Sequence, residues 1–234
     1  MSIDNSTCGL DLSKDWTNSS VILTCIERPA EALALNTEAL WFDKKQNSIY
    51  CFGGDMSFAN DYHVPTPSES IWAFTPDGKG TGNWKEVLGP TAAKPFPSEI
   101  TRLSSGVDAS DESHGYYLGG WANRATSPLI TEDGYKLMPG FLTLNFADLT
   151  ITNTSDGFYQ YGKMINVPYY GTSGVLILLG KGTLPSLLPF NTITIYDKTK
   201  QKWYSQLASG TIPDPRINYC IVGVRGIAND TFEM

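Results

Sequence analysis

At 234 residues the chain is long enough for one large all-β domain or two small ones, and it can bury most of its apolar surface. Seventeen Lys and Arg against 24 Asp and Glu give a net charge of −7, and 22 Gly, 14 Pro and 12% aromatics suit many short strands joined by tight turns. An acidic chain with no basic run excludes a nucleic-acid partner. No apolar window is long enough to span a bilayer, and the first residues lack the apolar core of a secretory signal.

Taken in chain order, residues 7–13 and 16–25 read as two strands, the third and fourth of a repeating unit. A Pro-containing connector leads to strands near 39–42, 48–52, 70–74 and 84–88, punctuated by turns at 44–47 and at Asp77-Gly78. A second unit has strands near 101–107, 115–118, 140–146 and 150–154. A third has strands near 163–167, 175–179, 192–196 and 202–206, and a fourth begins at 218–224 and resumes at 231–234.

Two markers recur in fixed order. The runs IYCFGGD (49–55) and GYYLGGW (115–121) are apolar strands ending in two glycines, and VLILLGKG (175–182) keeps one of them. Such glycines suit a backbone that needs positive φ or that lies too close to a neighbour for a Cβ. Next comes an aromatic strand with Asp and then Trp: Phe74, Asp77 and Trp84; Tyr196, Asp197 and Trp203. Leu10, Asp11 and Trp16 fit the same order, and Ile151 takes the Trp place after Phe146 and Asp148.

This order resembles the kelch family, whose units of about 50 residues each form one four-stranded blade of a β-propeller. The strings LWFDKKQNSIYCFGGD and IWAFTPDGKGTGNW are most similar to the kelch ectodomains of fungal cell-surface proteins, and the resemblance covers nearly the whole chain. It implies an all-β, incomplete propeller in one domain over 1–234: a half blade at 7–26, blades at 37–89, 100–155 and 162–208, and a half blade at 216–234. The terminal halves either combine to close a ring of four or mark an arc cut from a larger ring. The arc is favoured, because the family's rings are larger.

The resemblance also implies a binding or scaffold module without catalysis, for a protein or glycan partner, at the cell surface or outside the cell. A membrane anchor would then lie in sequence beyond this chain, whereas a chain that is itself the complete product would be cytoplasmic. Four N-x-Ser/Thr sequons, at Asn5, Asn18, Asn153 and Asn229, favour the secreted reading. The four cysteines, Cys8, Cys25, Cys51 and Cys220, show no C-x-x-C spacing, which removes zinc ribbons and redox motifs. They read as small buried hydrophobes on strands, although Cys8 and Cys25 lie on adjacent expected strands and could pair.

Repeat-phased aromatics (Trp16, Phe74, Trp84, Tyr196, Trp203) read as packing between sheets. Two long insertions, 55–69 and 121–139, carry aromatics off the repeat phase, and loops on a rigid scaffold are where binding residues gather. Phe58, Tyr62, His63, Trp121, Arg124 and Tyr135 are therefore the ligand-contact candidates. The family also includes copper-radical oxidases of the galactose oxidase kind, whose site takes two His with two Tyr, one cross-linked to Cys. Only His63 and His114 are present, so that alternative is disfavoured and no catalytic residue, metal or cofactor is nominated. Asp108, Asp111 and Glu112 are the densest acidic cluster and read as a solvated loop. A truncated propeller fragment with no independent function is the remaining reading.

Overall fold

The computed structural model describes residues 5–56, 66–131, 134–155, 159, 161–183, 186–217, 219–227 and 231–234; for 181–183 and 186–188 it describes the backbone alone. The described residues contain strands and turns and no helix. The strands are β1 (Ser6–Leu10), β2 (Leu23–Glu27), β3 (Ala39–Asp43), β4 (Ser48–Phe52), β5 (Ile71–Pro76), β6 (Gly82–Leu88), β7 (Val107–Ser110), β8 (His114–Leu118), β9 (Trp121–Ala122) and β10 (Lys136–Leu137). They continue with β11 (Phe141–Asn145), β12 (Ile151–Thr154), β13 (Lys163–Val167), β14 (Val175–Leu179), β15 (Lys181–Thr183), β16 (Ser186–Leu188), β17 (Thr192–Asp197), β18 (Lys202–Leu207), β19 (Val224–Arg225) and β20 (Phe232–Glu233).

Three four-stranded antiparallel sheets result, ordered β3-β4-β5-β6, β7-β8-β11-β12 and β13-β14-β17-β18. The hairpins β1-β2 and β19-β20 are separate two-stranded ladders, and no closed barrel forms among the described residues, as an incomplete propeller requires. Packing divides the chain into two compact units, Met1–Ser104 with Ala122–Tyr135, and Ser105–Trp121 with Lys136–Met234.

In the first unit, period-two alternation in β3 buries Ala39, Trp41 and Asp43 and exposes Leu40 and Phe42. Trp41 stacks on Phe52 with ring centroids 5.4 Å apart, and Tyr50, Ile71 and Leu88 complete a close-packed centre. In the second unit Val107, Tyr116, Leu118, Phe141, Met164, Leu176 and Leu178 form one buried cluster, against which Tyr196 and Trp203 pack.

The repeat markers become cross-strand pairs. Phe74 sits opposite Trp84 and Tyr196 opposite Trp203, whereas in the second sheet Ile151 faces Leu144 and not the expected Phe146, which lies past the end of β11. The recurring Asp is a turn residue: Asp77 and Asp197 each accept two backbone N–H groups of the turn they open, and Asp11 and Asp148 one each; Asp43 and Asp111, between the first two strands of their sheets, also accept two each. Both reasons for the glycine pairs hold. Gly53, Gly54, Gly119 and Gly120 all have positive φ, and a Cβ on Gly119 would lie 2.4 Å from the Tyr159 carbonyl oxygen.

Four expectations are corrected. Trp16 does not take the repeat position, because Leu10 pairs with Leu23, which throws Trp16 into the loop between β1 and β2, half exposed. The strand expected at 101–107 starts only at Val107, since Arg102, Leu103 and Ser104 are engaged by the first unit: Leu103 accepts the Gly54 N–H, and the Ser104 hydroxyl donates to Asp55. The strand expected at 218–224 reduces to Val224–Arg225 among the described residues. The reading of the cysteines as buried hydrophobes holds for Cys51 and fails for the exposed Cys220 and for Cys8 and Cys25, which face each other across β1 and β2 with Cα atoms 4.1 Å apart and form the disulfide left open as an alternative.

Candidate functional site

The inserted loops meet within the first unit, and Arg102 is the residue that joins them. Its guanidinium is buried and donates to the carbonyls of Thr126 (Nε, 2.6 Å), Ser68 (Nη1, 3.3 Å) and Pro67 (Nη2, 2.6 Å). The Arg102 backbone N–H donates to Glu69 Oε2 at 3.1 Å, and its Nε lies 3.9 Å from the same oxygen. Met56 donates its N–H to the Ala125 carbonyl, and Thr66 its hydroxyl to the Arg124 carbonyl. The 66–69 end of the first insertion and the 123–127 part of the second are therefore one hydrogen-bonded body.

Burial sets the electrostatics of this clamp. It pushes the Glu69 carboxyl above and the Arg102 guanidinium below their ordinary ranges, with each charge partly restoring the other. A pair desolvated on both sides fixes geometry more than it adds stability. Asp55, at the start of the first insertion, is also raised by burial, opposed by the hydroxyl of Ser104 and the side chains of Asn36 and Thr37. A turn inside the second insertion is held by Asn123, whose side-chain oxygen accepts the Ala125 N–H, and by Thr126, whose hydroxyl donates to the Asn123 carbonyl.

On this base Arg124 and Leu129 face solvent, and Tyr135 is 64% exposed. Trp121 falls in the second unit, half-buried in β9. Phe58, Tyr62 and His63 lie outside the described residues. His114 opens β8 beside Asp111; its Nδ1 lies 2.8 Å from the Ser113 hydroxyl. Among the described residues no three of His, Cys, Asp and Glu gather as a metal site would need.

A second constellation, in the second unit, was missed by sequence reasoning. Lys198 reads as part of a polar turn, yet its side chain is 9% exposed and its ammonium donates to Asp111 Oδ2 (2.8 Å) and Asn166 Oδ1 (2.9 Å). Tyr116 donates its hydroxyl to the same Asp111 oxygen at 2.7 Å. Despite partial burial, hydrogen bonds from Lys198, Ser113 and Tyr116 hold the Asp111 carboxyl well below its usual range. A solvated acidic loop does not describe Asp111, whose counter-ion comes from the neighbouring sheet. The group borders a cavity of about 490 Å³ lined by His114, Thr143, Thr152, Tyr196, Lys198 and Gln201, among others. The register gives no hint of it, because the turn at Asp197 places Lys198 just past the end of the β17–β18 ladder.

Three four-stranded sheets with a recurring cross-strand pair, a recurring Asp turn and positive-φ glycines define a blade-type repeat architecture. No family model matches the chain. The chain is similar to a Kelch repeat-containing protein of Arthroderma benhamiae, 24% identical over 251 residues, in an alignment that covers 91% of this chain and 36% of the relative. It thus spans about a third of that relative's length. The all-strand fold is compatible with a kelch β-propeller, so fold and similarity agree on the kelch resemblance.

Proposed function

We propose that the chain is a non-catalytic binding module that presents the clamped segments 66–69 and 123–127, with Tyr135 beyond them, to a protein partner. The observation that carries this is the Arg102 clamp: a buried guanidinium holds three loop carbonyls of the two insertions while Arg124 and Tyr135 stay at the surface. Pre-ordering a loop lowers the entropy cost of binding, and exposed Arg and Tyr on a rigid base are the residue types that anchor interfaces. The similarity to a kelch-repeat protein supports a repeat module, and four sequons with one disulfide support an extracellular setting.

A photoreactive p-benzoylphenylalanine at position 135 tests the reading in extracts or medium of the native source. It should capture one protein reproducibly, the same photoprobe at Lys44 should not, and Arg124→Glu should abolish capture. Equal capture from both positions, or capture indifferent to Arg124→Glu, overturns it; a captured glycan in place of a protein overturns the partner class.

A further inference from the structure

The loop joining β1 and β2 carries an apolar surface that the kelch-type reading leaves unexplained. Leu12 is 76% exposed, Trp16 50% and Ile22 80%, with Val21 and Leu23 also in the open, all within one disulfide-closed hairpin. A cluster of large exposed apolar side chains in one short loop is normally covered by something. What lies at its centre is a sequon: Asn18 is exposed, Ser20 stands two residues after it and Trp16 two residues before it.

Trp16 and Asn18 stand two residues apart at the mouth of one turn, both exposed. Thr17 accepts backbone N–H groups from Ser20 (3.1 Å) and Val21 (3.0 Å), so 17–21 is a tight turn with Asn18 in its bend. The Thr17 N–H donates to the Ser20 hydroxyl at 2.8 Å, which pins the turn. A sugar linked to Asn18 starts two residues from the half-exposed Trp16 indole, within reach of an apolar ring that a pyranose C–H face can cover.

The other sequons are placed differently. The Asn5 amide is half-buried and engaged, Nδ2 donating to the Arg28 carbonyl and Oδ1 accepting the Ala34 N–H. Asn153 is exposed on β12 opposite Leu142. Asn229 lies outside the described residues.

We infer that Asn18 is N-glycosylated and that its first N-acetylglucosamine stacks on Trp16, covering the apolar loop. The inference rests on the extracellular reading above. It gives Trp16 a role, and it makes the attached glycan the occupant of this surface.

The test is glycopeptide mass spectrometry of the protein from its native source, followed by oxidative footprinting of Trp16. Sugar should be found on the peptide containing Asn18. Trp16 oxidation should be low in the intact glycoprotein, stay low after trimming to a single N-acetylglucosamine, and rise severalfold after complete removal. Sugar at other sequons with Asn18 bare overturns the inference and leaves the extracellular reading standing. No sugar at any sequon overturns both. Sugar at Asn18 with Trp16 oxidation unchanged by its removal overturns the stacking.

Discussion

Single residues carry the sharpest contrasts. Gly119 has φ +68° and no room for a Cβ, which would meet the Tyr159 backbone at 2.4 Å, whereas Gly78 has φ +74° and nothing within 4 Å. Gly119→Ala should cost about 2–4 kcal/mol in urea unfolding, left-handed backbone plus an immovable clash. Gly78→Ala should cost about 1 kcal/mol, for the backbone alone. Equal costs would mean that close approach is not what glycine serves there. Asp111 gives the pH dependence. Its folded pKa is depressed below the ordinary 3.8, so the stability it contributes is fully present above that value and is lost as the pH falls below it. Asp111→Asn should therefore lower stability at neutral pH and flatten the acid side of the urea-midpoint profile. An unchanged acid limb would contradict the Lys198–Asp111 assignment. Glu69 and Asp55 act with the opposite sign: raised by burial, each favours folding most at low pH and loses that contribution as the pH rises through its folded value.

At the scale of elements, the sheets were legible and the hairpin at the N-terminal end was only half so. Strand alternation and the Asp turns show in the sequence because each is a local consequence of backbone geometry. Trp16 misled because a spacing says nothing about register: Leu10 pairing with Leu23 lengthens the loop and strands the indole outside. Arg102 and Lys198 were invisible for a related reason, since each is bonded to residues remote in the sequence that no periodicity marks. A two-stranded hairpin is marginal by itself. This one is held by the Cys8–Cys25 bond, by Trp84 Nε1 donating to the Thr7 hydroxyl at 3.1 Å, and by Arg28, which lies 4.4 Å over the Trp84 ring and pairs with Glu38 at 2.9 Å. The disulfide spans 17 residues, so the double change Cys8→Ser, Cys25→Ser should cost about 3 kcal/mol. Hydrogen exchange should show it as faster exchange in β1 and β2 with β3–β6 unaltered; equal acceleration in both would mean that the hairpin and the first sheet open together. Burial pushes the Cys51 thiol up to about 12, so Cys51 should stay unlabelled by alkylating reagents in the folded chain while exposed Cys220 reacts.

For the whole molecule, three regular sheets carry irregular insertions, and the first unit anchors one buried arginine between two of them. A partner should therefore touch the molecule at these clamped loops. The most direct measurement is hydrogen exchange of the chain with and without the protein captured through position 135. Protection concentrated at 66–69 and 122–131, with the β1–β2 hairpin and the strand edges unchanged, is the predicted result. Protection confined to the hairpin or to the edges of β6, β12 or β18, with the clamped loops exchanging as before, would contradict it.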